Sequence, residues 1–195
     1  MRKILVINGH PDPESFNRGI SDTYVSSAKE AGAEVKYLII NDLTFEPNLK
    51  FGYRQRMELE PDLLVALNDV KWADHIVWVH PLWWLGLPAK FKGFFDRAFL
   101  PGITYDVDEN KVPFGMLDGR TSHIICTSDM PDFVYESEYA NACFVQMEKG
   151  ILEPCGIKLE GTTFIGPMAN SEESWRKEWL DKIVELAKEQ TAVKI

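Results

Sequence analysis

The chain has 195 residues and a formal net charge of −9: long enough to bury roughly 70% of its unfolded surface as one domain, too acidic for nonspecific attraction to nucleic acid or anionic membranes. No stretch approaches membrane-spanning length. Cys126, Cys143 and Cys155 are odd in number and lack a CxxC pair, which argues against a disulfide framework or a zinc site, so the expectation is small-molecule chemistry in a reducing cytoplasm.

Lys3 to Ile7 reads as a first buried strand, and Asn8 to Glu14, with one glycine and two prolines, as a loop. Ser15 can cap a helix whose inward positions are Phe16, Ile20, Tyr24 and Ala28, with Gly32 placed to end it. A second strand spans Glu34 to Ile40 and enters a long aperiodic segment, 41–60, of the kind that is functional or mobile in a compact domain. Pro61 and Asp62 open a helix through Leu63, Leu64, Leu67 and Val70. A third strand, Ile76 to Val79, is a continuous apolar run suited to burial on both faces of a parallel sheet.

The next stretch, HPLWWLGLPAKFKGFFDRAFLPGITY from His80 to Tyr105, organises the chain. Pro88 suits the first turn of a helix, and Phe91, Phe94, Phe95, Ala98 and Phe99 fall on one helical face, which assigns the phenylalanines to the core. Two adjacent indoles in the preceding loop, Trp83 and Trp84, cannot both enter one core, so at least one lines a surface or pocket.

A second irregular stretch, 101–119, leads to a fourth strand at Thr121 to Thr127, and 128–135 reads as a loop. Ala140, Cys143, Phe144, Met147 and Ile151 mark a helical face closed by Gly156. The last strand spans 157–165, and Asn170 and Glu173 stand in capping-box spacing before a helix with the face Trp175, Trp179, Ile183 and Leu186. Five strands alternating with five helices predict one doubly wound, five-stranded parallel sheet, flavodoxin-like with order 2-1-3-4-5 and helices on both faces, in a single domain over 1–195.

Ligands of such sheets bind beyond the carboxyl ends of the strands, near the switch point between strands 1 and 3. Three loops emerge there: 8–17, 80–87 and 127–135. The first runs into a helix N-terminus able to accept a phosphate, with Ser15 either a plain N-cap or a phosphate ligand. GxGxxG and the P-loop signature are both absent. His10, His75, His80 and His123 are scattered with no carboxylate at ligand spacing, so no metal site is expected. His80 reads as a core histidine.

The wording of the block, Pro81-Leu82-x-Trp84-x-Gly86-x-Pro88-Ala89, Lys92-Gly93, Phe95-Asp96-Arg97, Phe99 and Tyr105, resembles the flavin-dependent NAD(P)H:quinone oxidoreductases. That resemblance implies a homodimer passing two electrons as hydride from NAD(P)H through a bound flavin to a quinone or similar acceptor, with one pocket serving both substrates in a ping-pong cycle. It implies His10, Ser15, Phe16 and Asn17 at the flavin pyrophosphate, and Pro81, Leu82, Trp83, Trp84 and Leu85 along the flavin ring. It places Thr127, Ser128 and Asp129 on the third loop beside the cofactor, Tyr135 as the proton-relay tyrosine, and Tyr105 and Phe133 in the substrate pocket. The long segment after strand 2 and the Lys92-Gly93-x-Phe95-Asp96-Arg97 wording resemble the FAD-binding branch, with FMN as the alternative. The third loop departs from the family: a glycine pair is missing, and no histidine follows His123. Two other readings share the fold. An electron-carrier flavodoxin would show T-x-T-G-x-T after strand 1, where this chain has HPDPESFN, and a regulatory flavoprotein subunit of a transport system would share much of the motif.

Overall fold

The structure, a computed structural model, describes residues 1–192. In chain order the elements are β1 (Lys3–Asn8), α1 (Phe16–Glu30), β2 (Glu34–Ile39), α2 (Pro61–Trp72), β3 (His75–Pro81) and α3 (Ala89–Ala98). There follow a hairpin, β4 (Tyr105–Val107) and β5 (Pro113–Gly115), then β6 (Arg120–Thr127), α4 (Asp132–Tyr139), α5 (Ala142–Met147), β7 (Ile157–Ile165) and α6 (Glu173–Ala192). The five long strands form one parallel sheet in the order β2-β1-β3-β6-β7, which is the doubly wound 2-1-3-4-5 arrangement with the small hairpin set aside.

Strand alternation divides the apolar residues between two cores. Leu5, Ile7, Ile76, Trp78, Ile124 and Cys126 pack with α2, α3 and α5 on one face. Ile4, Val6, Val77, Val79 and Ile125 pack with Ile20 and Tyr24 of α1 and Ile183 of α6 on the other. Every residue of β3 is buried, as its unbroken apolar run requires. The phenylalanines of α3 belong to the first core, where Phe91, Phe95 and Phe99 all lie against Trp78.

The segment 41–60 is tied down by one residue. Arg97, fully buried, donates to the carbonyls of Glu46 and Glu58 and pairs with the Glu60 carboxylate at 2.9 Å. A Cβ on Gly93 would stand 2.5 Å from Pro47, so α3 needs a glycine where this segment crosses it. Within the Lys92-Gly93-x-Phe95-Asp96-Arg97 wording, Gly93 and Arg97 are thus accounted for by packing of the long segment, Phe95 by its contact with Trp78, and Lys92 and Asp96 by pairing with each other at 2.6 Å. Losing the Arg97 side chain would leave a void beside the core and free the segment that its guanidinium ties to α3.

Four local expectations are corrected. The stretch 101–119 contains the hairpin β4–β5, whose turn is built on Asp108: its carboxylate accepts from Asn110 N–H at 2.9 Å and Val112 N–H at 2.8 Å. Residues 128–135 are not all loop, because α4 starts at Asp132, with Pro131 as its extended N-cap and an acid in the positive first turn. Ala140 lies outside the following helix: it and Asn141 are left-handed and separate α4 from α5. Asn170, also left-handed at φ 59°, stands three residues before α6, so no capping box forms.

Candidate functional site

The loop after β1 is folded on its own side chains. Asn8 accepts from the His10 N–H at 2.8 Å, His10 Nδ1 from Asp12 N–H at 3.0 Å, and Asp12 from Glu14 N–H at 2.9 Å. Ser15 then caps α1 by accepting from Arg18 N–H at 3.3 Å. Gly9 is required beneath this loop, since a Cβ there would stand 2.4 Å from the Phe91 ring.

This construction leaves the N–H groups of Phe16 and Asn17 without partners among the described residues, at the positive end of a 15-residue helix. Asn17 is almost fully buried and its Nδ2 donor is unpaired, while its Oδ1 accepts from the Thr127 hydroxyl at 2.8 Å. Because His10 Nδ1 is an acceptor, the neutral ring carries its proton on Nε2. Burial, the largest influence, lowers the His10 pKa, with Asp12 pulling the other way. Unpaired first-turn N–H donors, an orphaned buried amide and a neutral imidazole donor are the kinds of group that a phosphate or pyrophosphate takes up.

The second loop is a two-residue hairpin. Trp83 and Gly86 exchange backbone hydrogen bonds at 3.0 and 2.9 Å, and Trp84 and Leu85 between them have φ of 52° and 60°. Two consecutive left-handed residues make the type I′ geometry that Asn-Gly ordinarily supplies. Two bulky residues there cost on the order of 1–2 kcal/mol each. The result is that Trp84 is wholly exposed at the hairpin tip, while Trp83 is half exposed and meets the His10 ring edge-on at 5.6 Å. Pro81, by contrast, is the buried last residue of β3 and backs the loop from below.

The third loop joins the other two. Leu82 N–H donates to Thr127 carbonyl at 2.8 Å, and Ser128, nearly buried, is held by Ile165, Met168 and Met130. Asp129 is exposed. Together Leu82, Trp84, Leu85, Ser128, Met130 and Tyr139 line an open groove of about 380 Å³, mostly apolar, which suits a flat ring.

Of the expected residues, His10, Ser15, Asn17, Leu82, Trp83, Trp84, Leu85, Thr127 and Ser128 come together at this end of the sheet. Phe16 opens α1 and is half-buried against the second core. Tyr105 is not in the groove; it lies beside Tyr53 in a separate cavity of about 470 Å³ with Phe95 and Asp96 of α3. Phe133 is exposed on the first turn of α4. Tyr135 does not line the groove either. Its side chain is fully buried, its ring stacks on Phe164 at 4.8 Å, and its hydroxyl accepts from Cys143 N–H at 2.9 Å. Burial pushes its pKa well above the ordinary phenol range. A hydroxyl so enclosed packs the core and is out of reach of a groove ligand. The groove residues sequence reasoning missed are Met130 and Tyr139; the i, i+4 spacing of Tyr135 and Tyr139 was the available signal, hidden because 128–135 read as loop.

Residues 2–187 match the family described as having the flavodoxin-like fold. The chain belongs to that family. This flavodoxin-like chain is 24% identical to ribosyldihydronicotinamide dehydrogenase (quinone) of Rattus norvegicus over 217 residues, covering 97% of this chain and 94% of that protein. It superposes on the NAD(P)H:quinone oxidoreductase from Methanothermobacter marburgensis with a TM-score of 0.80 and 21% identity, covering 97% and 98% of the two chains. An FMN-dependent NADH-azoreductase from Bacillus anthracis, solved in complex with FMN, gives a TM-score of 0.72 at 19% identity, covering 98% and 100%. The resemblance to NAD(P)H:quinone oxidoreductases read from the sequence therefore stands. Among the described residues no helix is long and apolar enough to cross a membrane, and no group of three or more His, Cys, Asp or Glu is placed to hold a metal ion.

Proposed function

We propose that this chain is a flavin-dependent NAD(P)H:quinone oxidoreductase. The observation that carries the reading is the junction of the three loops: Asn17 to Thr127, His10 to Trp83 and Leu82 to Thr127 set an anion cradle beside an apolar groove at the switch point. The residues present fit a flavin: the Phe16 and Asn17 N–H groups, Asn17 Nδ2 and His10 would hold its phosphates, and Leu82, Trp84 and Leu85 would bed its ring. When bound, the flavin supplies two-electron hydride acceptance and donation.

The chain's own residues bind, orient and exclude water. Leu82, Leu85 and Met130 make the groove apolar, and the hairpin's bonds between Trp83 and Gly86 hold its wall at a fixed height. One groove of this size admits one flat substrate at a time, so the nicotinamide product must leave before a quinone enters. Parallel double-reciprocal lines are the expected kinetic pattern, and converging lines would count against the shared groove.

FAD is the proposed cofactor, with FMN, found in the azoreductase neighbour, as the alternative. The chain acts as a single flavin-binding domain in the cytoplasm, in keeping with three free, buried thiols. A homodimer is part of the proposal: Phe51, Tyr53, Phe114 and Met116 are exposed near Tyr105, an apolar set for which a second copy is the proposed cover. The deciding experiment is to purify the protein, record its absorbance near 450 nm, and weigh the small molecule released on denaturation. Light scattering gives the assembly mass in the same preparation. Failure to retain either flavin, even when it is supplied, would sink the proposal.

A further inference from the structure

Six non-glycine residues among those described have left-handed backbones, and four of them form two consecutive pairs, Trp84-Leu85 and Ala140-Asn141. Both pairs border the same groove. The first is the hairpin tip that forms one wall; the second directly follows Tyr139, which lines it at the end of α4. Alanine and tryptophan adopt this conformation only where surrounding structure imposes it, and such residues gather at ligand sites. The sharp reversal at Ala140-Asn141 ends α4 at Tyr139 and leaves that side chain at the groove.

Tyr135 and Tyr139 lie one turn apart on α4 and differ in what they have left to offer. Tyr135 has a stacked ring and a paired hydroxyl. Tyr139 is 41% exposed, with no aromatic neighbour and no hydrogen bond on its hydroxyl among the described residues. The other hydroxyl in the groove, Ser128 Oγ, accepts from Met130 N–H at 3.1 Å and belongs to a residue only 8% exposed, so it reaches less of the groove than Tyr139 does.

Resting on the reading above as a quinone reductase, we propose that Tyr139 is the residue of this groove that recognises the electron acceptor. Its ring covers a flat aromatic acceptor, and its hydroxyl donates a hydrogen bond to an acceptor carbonyl oxygen. This selects planar acceptors that carry an oxygen over compact ones that do not stack.

The test uses flavin-loaded, oxidised protein without NAD(P)H, so that 1,4-naphthoquinone binds and does not react, and its Kd is read from the change in flavin absorbance. Tyr139→Phe should weaken binding about 5-fold, the loss of one neutral hydrogen bond. Tyr139→Ala should weaken it about 30-fold, because the aromatic contact goes as well. Both variants should retain flavin through gel filtration. Wild-type Kd values in both variants would overturn the assignment and leave the proposed function intact. Loss of flavin from Tyr139→Ala would overturn it too, by making Tyr139 part of the cofactor's bed. A wild-type protein that holds no flavin, or holds it and binds no quinone, would instead remove the reading on which the assignment rests.

Discussion

The two ends of the sheet use similar polar residues in opposite ways. At the amino end, Arg2, Tyr24, His75, Thr121 and Gln190 satisfy one another. Tyr24 donates to Gln190 Oε1 at 2.6 Å, His75 lies 2.7 Å from the Thr121 hydroxyl and 3.2 Å from Gln190 Oε1, and the Arg2 guanidinium reaches Thr121 and the Gln190 carbonyl. Among the described residues of that set, only Arg2 Nε is left over. At the carboxyl end, Asn17 Nδ2 and two first-turn N–H groups of α1 have no partner among the described residues. An unpaired buried donor costs about 1–3 kcal/mol, so the fold closes its polar groups where they hold α6 in place and leaves them open where a ligand can complete them.

Acid titration should produce the largest effect and strains both ends at once. Burial, reinforced by Arg2, lowers the pKa of His75 to about 3, and burial lowers those of His80 and His123 to about 4. Each ring is therefore neutral in the fold but takes up a proton near the ordinary 6.5 when the chain unfolds, so below that pH the unfolded state binds more protons. The stability held by these histidines is complete above about pH 6.5 and falls on acidification toward pH 4, by about 1.4 kcal/mol per pH unit for each ring. Urea midpoints measured between pH 7 and 4.5 should drop steeply; a flat profile would mean the rings are protonated in the native state.

Paired substitutions sharpen the contrast. Arg2→Leu should cost about 2–3 kcal/mol of stability, because a buried charge-assisted set is broken, with no change in flavin affinity. Asn17→Leu should cost about 1 kcal/mol through the orphaned Thr127 hydroxyl and weaken flavin binding about 10-fold. Urea denaturation and flavin titration of both variants separate the two kinds of end. Equal loss of flavin from both would erase the distinction.

The smallest effect concerns the hairpin. Trp84 is wholly exposed, so in the flavin-free chain Trp84→Gly removes little packing and relieves a left-handed backbone. A gain of about 1 kcal/mol is expected, alongside poorer flavin retention. A destabilised flavin-free variant would mean that the indole packs in solution.

The repeating strand and helix pattern was legible because burial on both faces forces continuous apolar runs and a covered helix face repeats every 3.6 residues. Thus β1, β2, β6, β7 and α1 matched the expected spans closely, β3 took in His80 and Pro81 that had read as loop, and the phenylalanines of α3 went to the core. The start of α1 was legible for a similar reason: an N-cap and its first turn are local in sequence, so Ser15, Phe16 and Asn17 needed only the helix start to be placed. What sequence could not decide was which of two tyrosines four residues apart would face the groove, or that Arg97 would clamp a segment about forty residues earlier. Those outcomes depend on contacts between residues far apart in the chain: Phe164 of β7 claims the Tyr135 ring, Cys143 of α5 claims its hydroxyl, and the reversal at Ala140 leaves Tyr139 at the rim. Periodicity records which face of an element is apolar; only packing decides which neighbour fills it and which side chain is left for a ligand.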